Sequence, residues 1–188
     1  MPISDPLDDD PGWPPGRRVL LFLIPGYLRR SAKDGDGLLM LRQVFLAFVS
    51  ALIAFQVVLV LIGTTDEPTN VALAIGLLIW GALNVLAVEP LIERRAKPDC
   101  SSEVTLAGWY TTRFFLRVAF AESAALFGFV GFFVANVWWV YPASLITAAI
   151  GFARLAPTRE HLVADQEALR SQGCNLMLVR ALRQPSDA

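Results

Sequence analysis

The hydrophobic positions of this chain fall into four long blocks separated by shorter polar connections. The blocks cover residues 44–63, 71–88, 114–134 and 137–155, and each is long enough to cross a hydrocarbon layer about 30 Å thick as a helix. A helix of a soluble bundle would show a polar face with a period of 3.6 residues, and these blocks show none. The pattern predicts an all-α integral membrane bundle of four transmembrane helices.

The positive charges predict how these helices are oriented. Fourteen of the sixteen lysines and arginines lie before the first block, between the second and third, or after the fourth, and Arg154 lies at the very end of the fourth block. The connections 64–70 and 135–136 contain none. Because cytoplasmic loops retain positive charge, both termini and the middle loop are predicted to be cytoplasmic, in a multi-pass protein of the bacterial inner membrane. Aromatic anchors are predicted on the cytoplasmic surface at Trp109 and Tyr110, and on the opposite surface at Trp138, Trp139 and Tyr141.

The segments outside the four blocks have different compositions. Residues 1–16 are predicted to be a disordered acidic N-terminus, and the four aspartates among the first ten residues are unlike a secretory signal. Residues 17–41 are predicted to be an interfacial amphipathic segment, and residues 42–155 the transmembrane domain. Basic residues of the interfacial segment are candidates for binding lipid headgroups. They are Arg17, Arg18, Arg29, Arg30 and Lys33.

Residues 156–188 are predicted to form a cytoplasmic amphipathic tail. Thr158 is a plausible N-cap for a helix over Arg159–Ser171, which Gly173 would end. A second short stretch has apolar residues three positions apart, which is typical of a helix lying on a surface. We expect this second stretch to pack on the cytoplasmic face of the protein itself.

Two ionisable residues lie within the third block, where charge is costly. Glu122 is predicted near the middle of the hydrocarbon, and Arg117 is close enough to the cytoplasmic interface for its side chain to reach water. We expect Glu122 to meet Gln56 of the first helix, and Arg117 to meet Asn84 of the second helix or lipid headgroups. Together with Ser123, these residues are the candidates for an ion-binding site.

The third block also contains small residues at spacings that let another helix approach closely. These positions predict a helix-packing seam, which would shelter Glu122 from lipid. The predicted seam consists of Ala121, Ala124, Ala125, Gly128 and Gly131.

Residues 122–130 resemble the carboxylate helix of the proteolipid c-subunits of rotary ATP synthases. In that family an ion-binding glutamate precedes small residues, an aliphatic residue, an aromatic residue and a glycine. The resemblance implies that Glu122 corresponds to the ion-carrying carboxylate, Phe127 to the aromatic residue and Gly128 to the glycine. The chain also resembles small four-helix membrane proteins of bacteria, which implies no activity.

Other kinds of chemistry find little support in the sequence. Cys100 and Cys174 both lie on the predicted cytoplasmic side, so we expect no structural disulfide between them. His161 has no neighbouring ligands, and no catalytic triad, phosphate loop or cluster of metal ligands is present. The sequence therefore predicts no enzyme activity, no metal or cofactor and no nucleic-acid partner.

Three functional hypotheses follow. The leading hypothesis is a non-enzymatic membrane protein that acts through helix packing, with itself or with other membrane protein subunits as its partners in the lipid bilayer. The alternative is translocation of protons or cations with Glu122 as the carrier. A third, ranked lower, is lipid binding by the basic amphipathic segments. Glu122 remains open to a second interpretation, as a packing carboxylate that sets helix register.

Overall fold

The computed structural model describes residues 36–63, 70–88, 90–91 and 97–183. The described residues form helices and no strands, which confirms the all-α class. The predicted acidic N-terminus and most of the predicted interfacial segment lie outside the described residues. So do all five headgroup candidates, Arg17, Arg18, Arg29, Arg30 and Lys33.

Six α-helices follow one another along the described chain. They are α1 (Gly37–Ile62), α2 (Val71–Leu83), α3 (Glu103–Ala135), α4 (Val140–Leu155), α5 (Arg159–Ser171) and α6 (Leu178–Arg183). A π-helical turn, Asn84–Val88, continues α2 directly.

Three of these helices are long and apolar enough to cross a membrane: α1, α2 with its π-helical turn, and α3. With 16 residues, α4 extends about 24 Å, which is less than the hydrocarbon thickness. By length and composition alone, a fourth span is counted only when α4 and α5 are taken together. The apolar helices are compatible with a membrane protein.

Capping residues extend two helices beyond their predicted apolar blocks. Asp36 accepts a hydrogen bond from the backbone of Leu39 at 3.1 Å, so α1 begins at Gly37 instead of residue 44. Ser102 accepts one from the backbone of Thr105 at 3.2 Å, so α3 begins at Glu103 instead of residue 114. A helix starts where its free N–H groups find acceptors, which hydropathy does not report.

The tail helix has the bounds that its caps predict. Thr158 accepts a hydrogen bond from the backbone of His161 at 3.3 Å, and α5 covers Arg159–Ser171 as expected. Gly173 follows the helix with a φ of +86°, in the left-handed region that favours glycine. The position of this helix is therefore confirmed.

The chain divides into two compact units. We call residues 48–96 and 114–155 the apolar unit, and residues 1–47, 97–113 and 156–188 the polar unit. Both α1 and α3 contribute residues to each unit.

In the apolar unit, α4 packs antiparallel along α3 where side chains are smallest. A Cβ atom at Gly151 would lie 2.8 Å from Ala121 Cβ, and one at Gly131 would lie 2.9 Å from Val140 Cγ1. Between these two contacts, Gly128 faces Ser144. The glycines therefore permit helix contacts that no larger residue would allow.

A second glycine contact joins α2 to α3. A Cβ atom at Gly81 would lie 3.0 Å from the Cα atom of Ala124. Tyr141 completes the unit by packing against Phe129 of α3, with ring centroids 6.0 Å apart, and by donating a hydrogen bond to Leu52 of α1. All four apolar helices of the unit are thus in contact.

In the polar unit, a disulfide joins Cys100 to Cys174, with their Cα atoms 5.7 Å apart. The expectation that these cysteines would not form a structural disulfide is therefore wrong for this structure. Compartment alone suggested free thiols, whereas the fold of the tail brings the two residues together across 74 positions of sequence.

Polar contacts hold the tail within the polar unit. Tyr110 donates a hydrogen bond to Asp165 at 2.9 Å, and Arg113 lies 3.6 Å from the same carboxylate. Gln166 accepts a hydrogen bond from the backbone of Leu178 at 2.6 Å. Leu162, Leu169, Leu178 and Leu182 are buried, so the tail packs on the protein itself.

Candidate functional site

Glu122 lies on α3 within the apolar unit, and its side chain is half-buried. Its carboxyl group interacts electrostatically with Tyr141 of α4. No hydrogen bond reaches that carboxyl group from any described residue. A carboxyl group in an apolar helix bundle without a hydrogen-bonding partner is costly, so this position is the strongest candidate for a functional site.

Asn84 lies at nearly the same level as Glu122. A Cβ atom at Gly151 would meet both Ala121, at 2.8 Å, and Val85, at 3.1 Å, so these three residues share one level. Asn84 is next to Val85 and Glu122 is next to Ala121, so both lie within one residue of that shared level. Arg117 is five residues from Glu122 along the same helix. Asn84 was predicted to lie close in depth to Arg117, and the helix register places it closer to Glu122.

The π-helical turn begins at Asn84, and the side chain of this residue accounts for the local geometry. Its Nδ2 atom donates a hydrogen bond to the carbonyl oxygen of Trp80 at 2.8 Å. That oxygen also accepts from the backbone N–H of Asn84. Such π-helical turns are found frequently at functional sites.

Gln56 was expected to meet Glu122, and the packing of α1 against α3 bears on its level. Phe55 packs against Phe129, with ring centroids 5.2 Å apart, so the neighbouring Gln56 lies near the level of Phe129. That residue is seven positions beyond Glu122, or about 10 Å along the helix. Among the described residues, no hydrogen bond joins the two side chains. The sequence alone did not show the relative register of α1 and α3.

Ser123 and Arg117 complete the predicted set of site residues. Ser123 donates a hydrogen bond to the carbonyl oxygen of Phe120 at 2.7 Å, within its own helix. Arg117 is half-buried on α3. The helix register therefore brings Glu122 and Asn84 to one level, and separates them from Gln56 and Arg117.

Tyr141 is the residue that sequence reasoning missed. It was predicted to anchor the protein at the membrane surface, but it is fully buried, and its hydroxyl donates a hydrogen bond to the Leu52 carbonyl oxygen at 2.8 Å. The spacing of small residues after Tyr141 could have indicated this, because they continue its helix face. That face comprises Tyr141, Ser144, Ala148, Gly151 and Leu155, all buried.

Tyr110 was likewise predicted to be a surface anchor. It is buried in the polar unit, at 7% exposure, and bonded to Asp165. Trp138 is 68% exposed, as an anchor at an interface would be.

The predicted packing seam lies inside the bundle. Gly81 and Gly151 approach it from α2 and α4, as do Val140 and Ser144. These contacts use the small residues for packing within one chain, so the seam is not an open surface. All five seam residues, Ala121, Ala124, Ala125, Gly128 and Gly131, are buried.

The described residues contain no group of three or more His, Cys, Asp and Glu side chains that could hold a metal ion. Nδ1 of His161 lies 2.7 Å from the carbonyl oxygen of Ala156. The two cysteines form a disulfide with each other. The histidine and both cysteines therefore have local structural partners.

No family model, curated protein or solved structure matches this chain. The resemblance of residues 122–130 to the ATP synthase c-subunit therefore stays a prediction. A function has to be argued from the geometry of the chain itself.

Proposed function

We propose that this chain is a non-enzymatic, four-span membrane protein that acts through helix packing, as an oligomer or as an accessory subunit of a membrane protein complex. The observation that carries the proposal is the half-buried carboxyl group of Glu122, which accepts no hydrogen bond from a described residue. A second membrane protein helix could supply the missing donor.

The register of α3 and α4 supports a fourth span. Because Gly151 faces Ala121, Arg154 is close in level to Arg117. From Arg117 to Ala135, 18 residue steps along the helix, the rise is about 27 Å, close to the thickness of the hydrocarbon core. If both arginines reach headgroups, α4 crosses the bilayer completely despite its short length.

The distribution of lysine and arginine supports an orientation with both termini in the cytoplasm of a bacterium. On this orientation the polar unit lies at the cytoplasmic face of the inner membrane. Glu122 then lies about 7 Å beyond the level of Arg117, inside the hydrocarbon.

Open surface remains for a partner. The most apolar stretches of α1 and of α2 with its π-helical turn are only 11% and 17% buried, whereas that of α3 is 44% buried. Lipid covers such surfaces well but offers no donor to a carboxyl group. At Glu122 a protein partner can therefore donate a hydrogen bond that lipid does not supply.

Replacing Glu122 tests whether its hydrogen bonding drives assembly. Glu122→Gln should retain assembly, because an amide both donates and accepts hydrogen bonds. Glu122→Leu should lose it. Assembly is read by native gel electrophoresis in gentle detergent and by mass spectrometry of co-purified subunits. Equal assembly of the Leu variant would reject the proposal.

A cross-linking experiment locates the contact. In a Cys100→Ser, Cys174→Ser background, Leu126→Cys introduces a thiol one turn from Glu122, at a residue 43% exposed. Ile146→Cys on α4, 66% exposed, is the matched control. Cross-links should form from position 126 and not from position 146. Equal cross-linking from both positions would indicate random collision.

The half-buried position of the Glu122 carboxyl group among apolar helices favours one alternative. In that alternative Glu122 carries protons or cations across the membrane. In liposomes, Glu122→Gln should then abolish a pH-dependent flux and remove reactivity toward a carboxyl-directed carbodiimide. No flux from the parent protein would reject this alternative and leave the packing proposal standing.

A further inference from the structure

The disulfide of the polar unit ties together two segments that are far apart in sequence. Cys100 lies two residues before Ser102, which caps α3. Cys174 lies directly after α5, and its backbone N–H donates a hydrogen bond to the Leu169 carbonyl oxygen at 3.0 Å. The bond therefore connects the start of α3 to the segment that leads into α6.

The two cysteine residues differ in exposure. Cys174 is buried at 1% exposure, whereas Cys100 is partly exposed. A thiol from solution would therefore reach Cys100 first, and the sulfur of Cys174 would leave. The remaining question is whether the compartment supplies such thiols.

The lysine and arginine pattern predicts that this unit faces the cytoplasm, where thiols normally stay reduced. We propose that the Cys100–Cys174 bond is a redox-sensitive clamp, which holds α6 in the polar unit when oxidised and loosens it when reduced. The proposal depends on the predicted orientation and not on the role of Glu122.

The chemistry of opening is ordinary thiol–disulfide exchange. A thiolate attacks Cys100, which forms a mixed disulfide and releases the thiolate of Cys174, and that thiolate takes up a proton. A second small thiol then attacks the mixed disulfide and frees Cys100. Two small thiols become one disulfide, and the protein gains two electrons and two protons. A protein or small-molecule disulfide reverses the reaction by the same exchange.

The other contacts of α6 are all non-covalent, and they comprise the buried Leu178 and Leu182, a hydrogen bond from the Leu178 backbone to Gln166, and ion pairs. This helix has six residues, which is too short to be stable alone. Its ion pairs are Arg180 with Glu103, at 3.6 Å, and Arg183 with Asp36, at 3.4 Å. Arg180 is 66% exposed, so its pair is screened by solvent.

The neighbouring helix α5 has contacts that do not depend on the disulfide. Asp165 holds both Tyr110 and Arg113. At the start of α5, Thr158 caps the helix, and the adjacent Pro157 accepts a hydrogen bond from Arg42 at 3.1 Å. Reduction should therefore loosen α6 and leave α5 in place.

The redox state is measured first, in inside-out membrane vesicles equilibrated with mixtures of reduced and oxidised glutathione. After acid quenching, each free thiol is counted by the gel shift from a polyethylene-glycol maleimide. The cysteine pair should change from no maleimide labels to two as the ratio of reduced to oxidised glutathione is raised through the cytoplasmic range. A disulfide that stays oxidised in excess reduced glutathione would be structural and would overturn the proposal. Two free thiols in every glutathione mixture would also overturn it.

Amide hydrogen exchange of the full chain in lipid nanodiscs then tests the clamp. Reduction should speed exchange in residues 178–183 by about tenfold or more, with residues 160–168 nearly unchanged. Cys100→Ser should exchange fast at α6 under both conditions. Equal α6 exchange in both redox states, or equal loosening of both helices, would overturn the proposal.

Discussion

The apolar unit and the polar unit use different kinds of side chain for their specific contacts. In the apolar unit several glycines allow helices to approach closely, as where Gly81 meets Ala124, and three polar side chains bond to their own helix. These are Asn84, Ser123 and Ser144. In the polar unit, ion pairs, hydrogen bonds and a disulfide join residues that are distant in sequence. Without water to exclude, helices in hydrocarbon gain from close packing, whereas a water-facing unit can use charge.

The largest expected effect comes from filling the contact between Gly128 and Ser144. Gly128→Leu should lower the free energy of unfolding by about 3 kcal/mol or more, because the added side chain forces α3 and α4 apart. Chemical unfolding in detergent measures the change. Gly108→Ala is the control on the same helix, because a Cβ atom there meets nothing within 4 Å. A mild effect of Gly128→Leu would show that the bundle is loosely packed.

A smaller effect is expected from buried charge in the polar unit. Arg42 is 3% exposed and donates a hydrogen bond to the Pro157 carbonyl oxygen. Arg42→Met keeps the bulk and should lower the free energy of unfolding by about 2 kcal/mol, because a charged donor is lost and its acceptor is stranded. Arg180→Met removes only an exposed ion pair and should change it by less than about 0.5 kcal/mol. Equal losses of unfolding free energy in the two variants would contradict the expectation that the buried arginine contributes more than the exposed one.

Matched tyrosine substitutions compare the two units directly. Tyr141→Phe removes the hydrogen bond to Leu52 and should cost about 1 kcal/mol of unfolding free energy, because no water replaces the donor. Tyr110→Phe should cost about half as much, since Asp165 keeps Arg113 and some access to water. Thermal unfolding of both variants in one detergent measures the difference. A larger loss for Tyr110→Phe would show that Asp165 is effectively dry.

The smallest effect concerns pH. Hydrogen bonds from the side chain and backbone of Ser101 lower the pKa of the exposed Asp99 carboxyl below its usual 3.8. A lowered pKa in the folded state adds stability above the unfolded value, and this stability is lost as the pH falls below 3.8 through the folded value. Ser101→Ala should raise the pKa of Asp99, as measured by carboxyl NMR titration. An unchanged titration would show that the Ser101 hydroxyl does not hold the carboxylate.

Much of the fold could be predicted from local patterns. Hydropathy located the apolar helices, and capping chemistry located α5, because both depend on residues close together in sequence. Both α1 and α3 start before their apolar blocks, since Asp36 and Ser102 cap them ahead of the apolar residues. Hydropathy reports burial in lipid, whereas caps decide where a helix starts.

The candidate site was predictable only in part. Glu122 stands out in any apolar block, because an ionisable residue there is rare. Its surroundings depend on the axial register of α1, α2 and α4 relative to α3. The periodicity of a sequence shows which face of a helix packs, but it does not fix that register. For this reason Gln56 was expected beside Glu122, while Tyr141 was overlooked.

The sequence alone was sufficient to indicate apolar helices, one intramembrane carboxyl group and a polar tail with a capped helix. These follow from interactions within a few turns, where composition and spacing suffice. Only the tertiary structure showed that the small residues pack within the chain, that Asn84 shares a level with Glu122, and that Cys100 reaches Cys174. Such pairings arise between distant segments, and the physical reason is that close packing selects one register among many that hydrophobicity alone would allow.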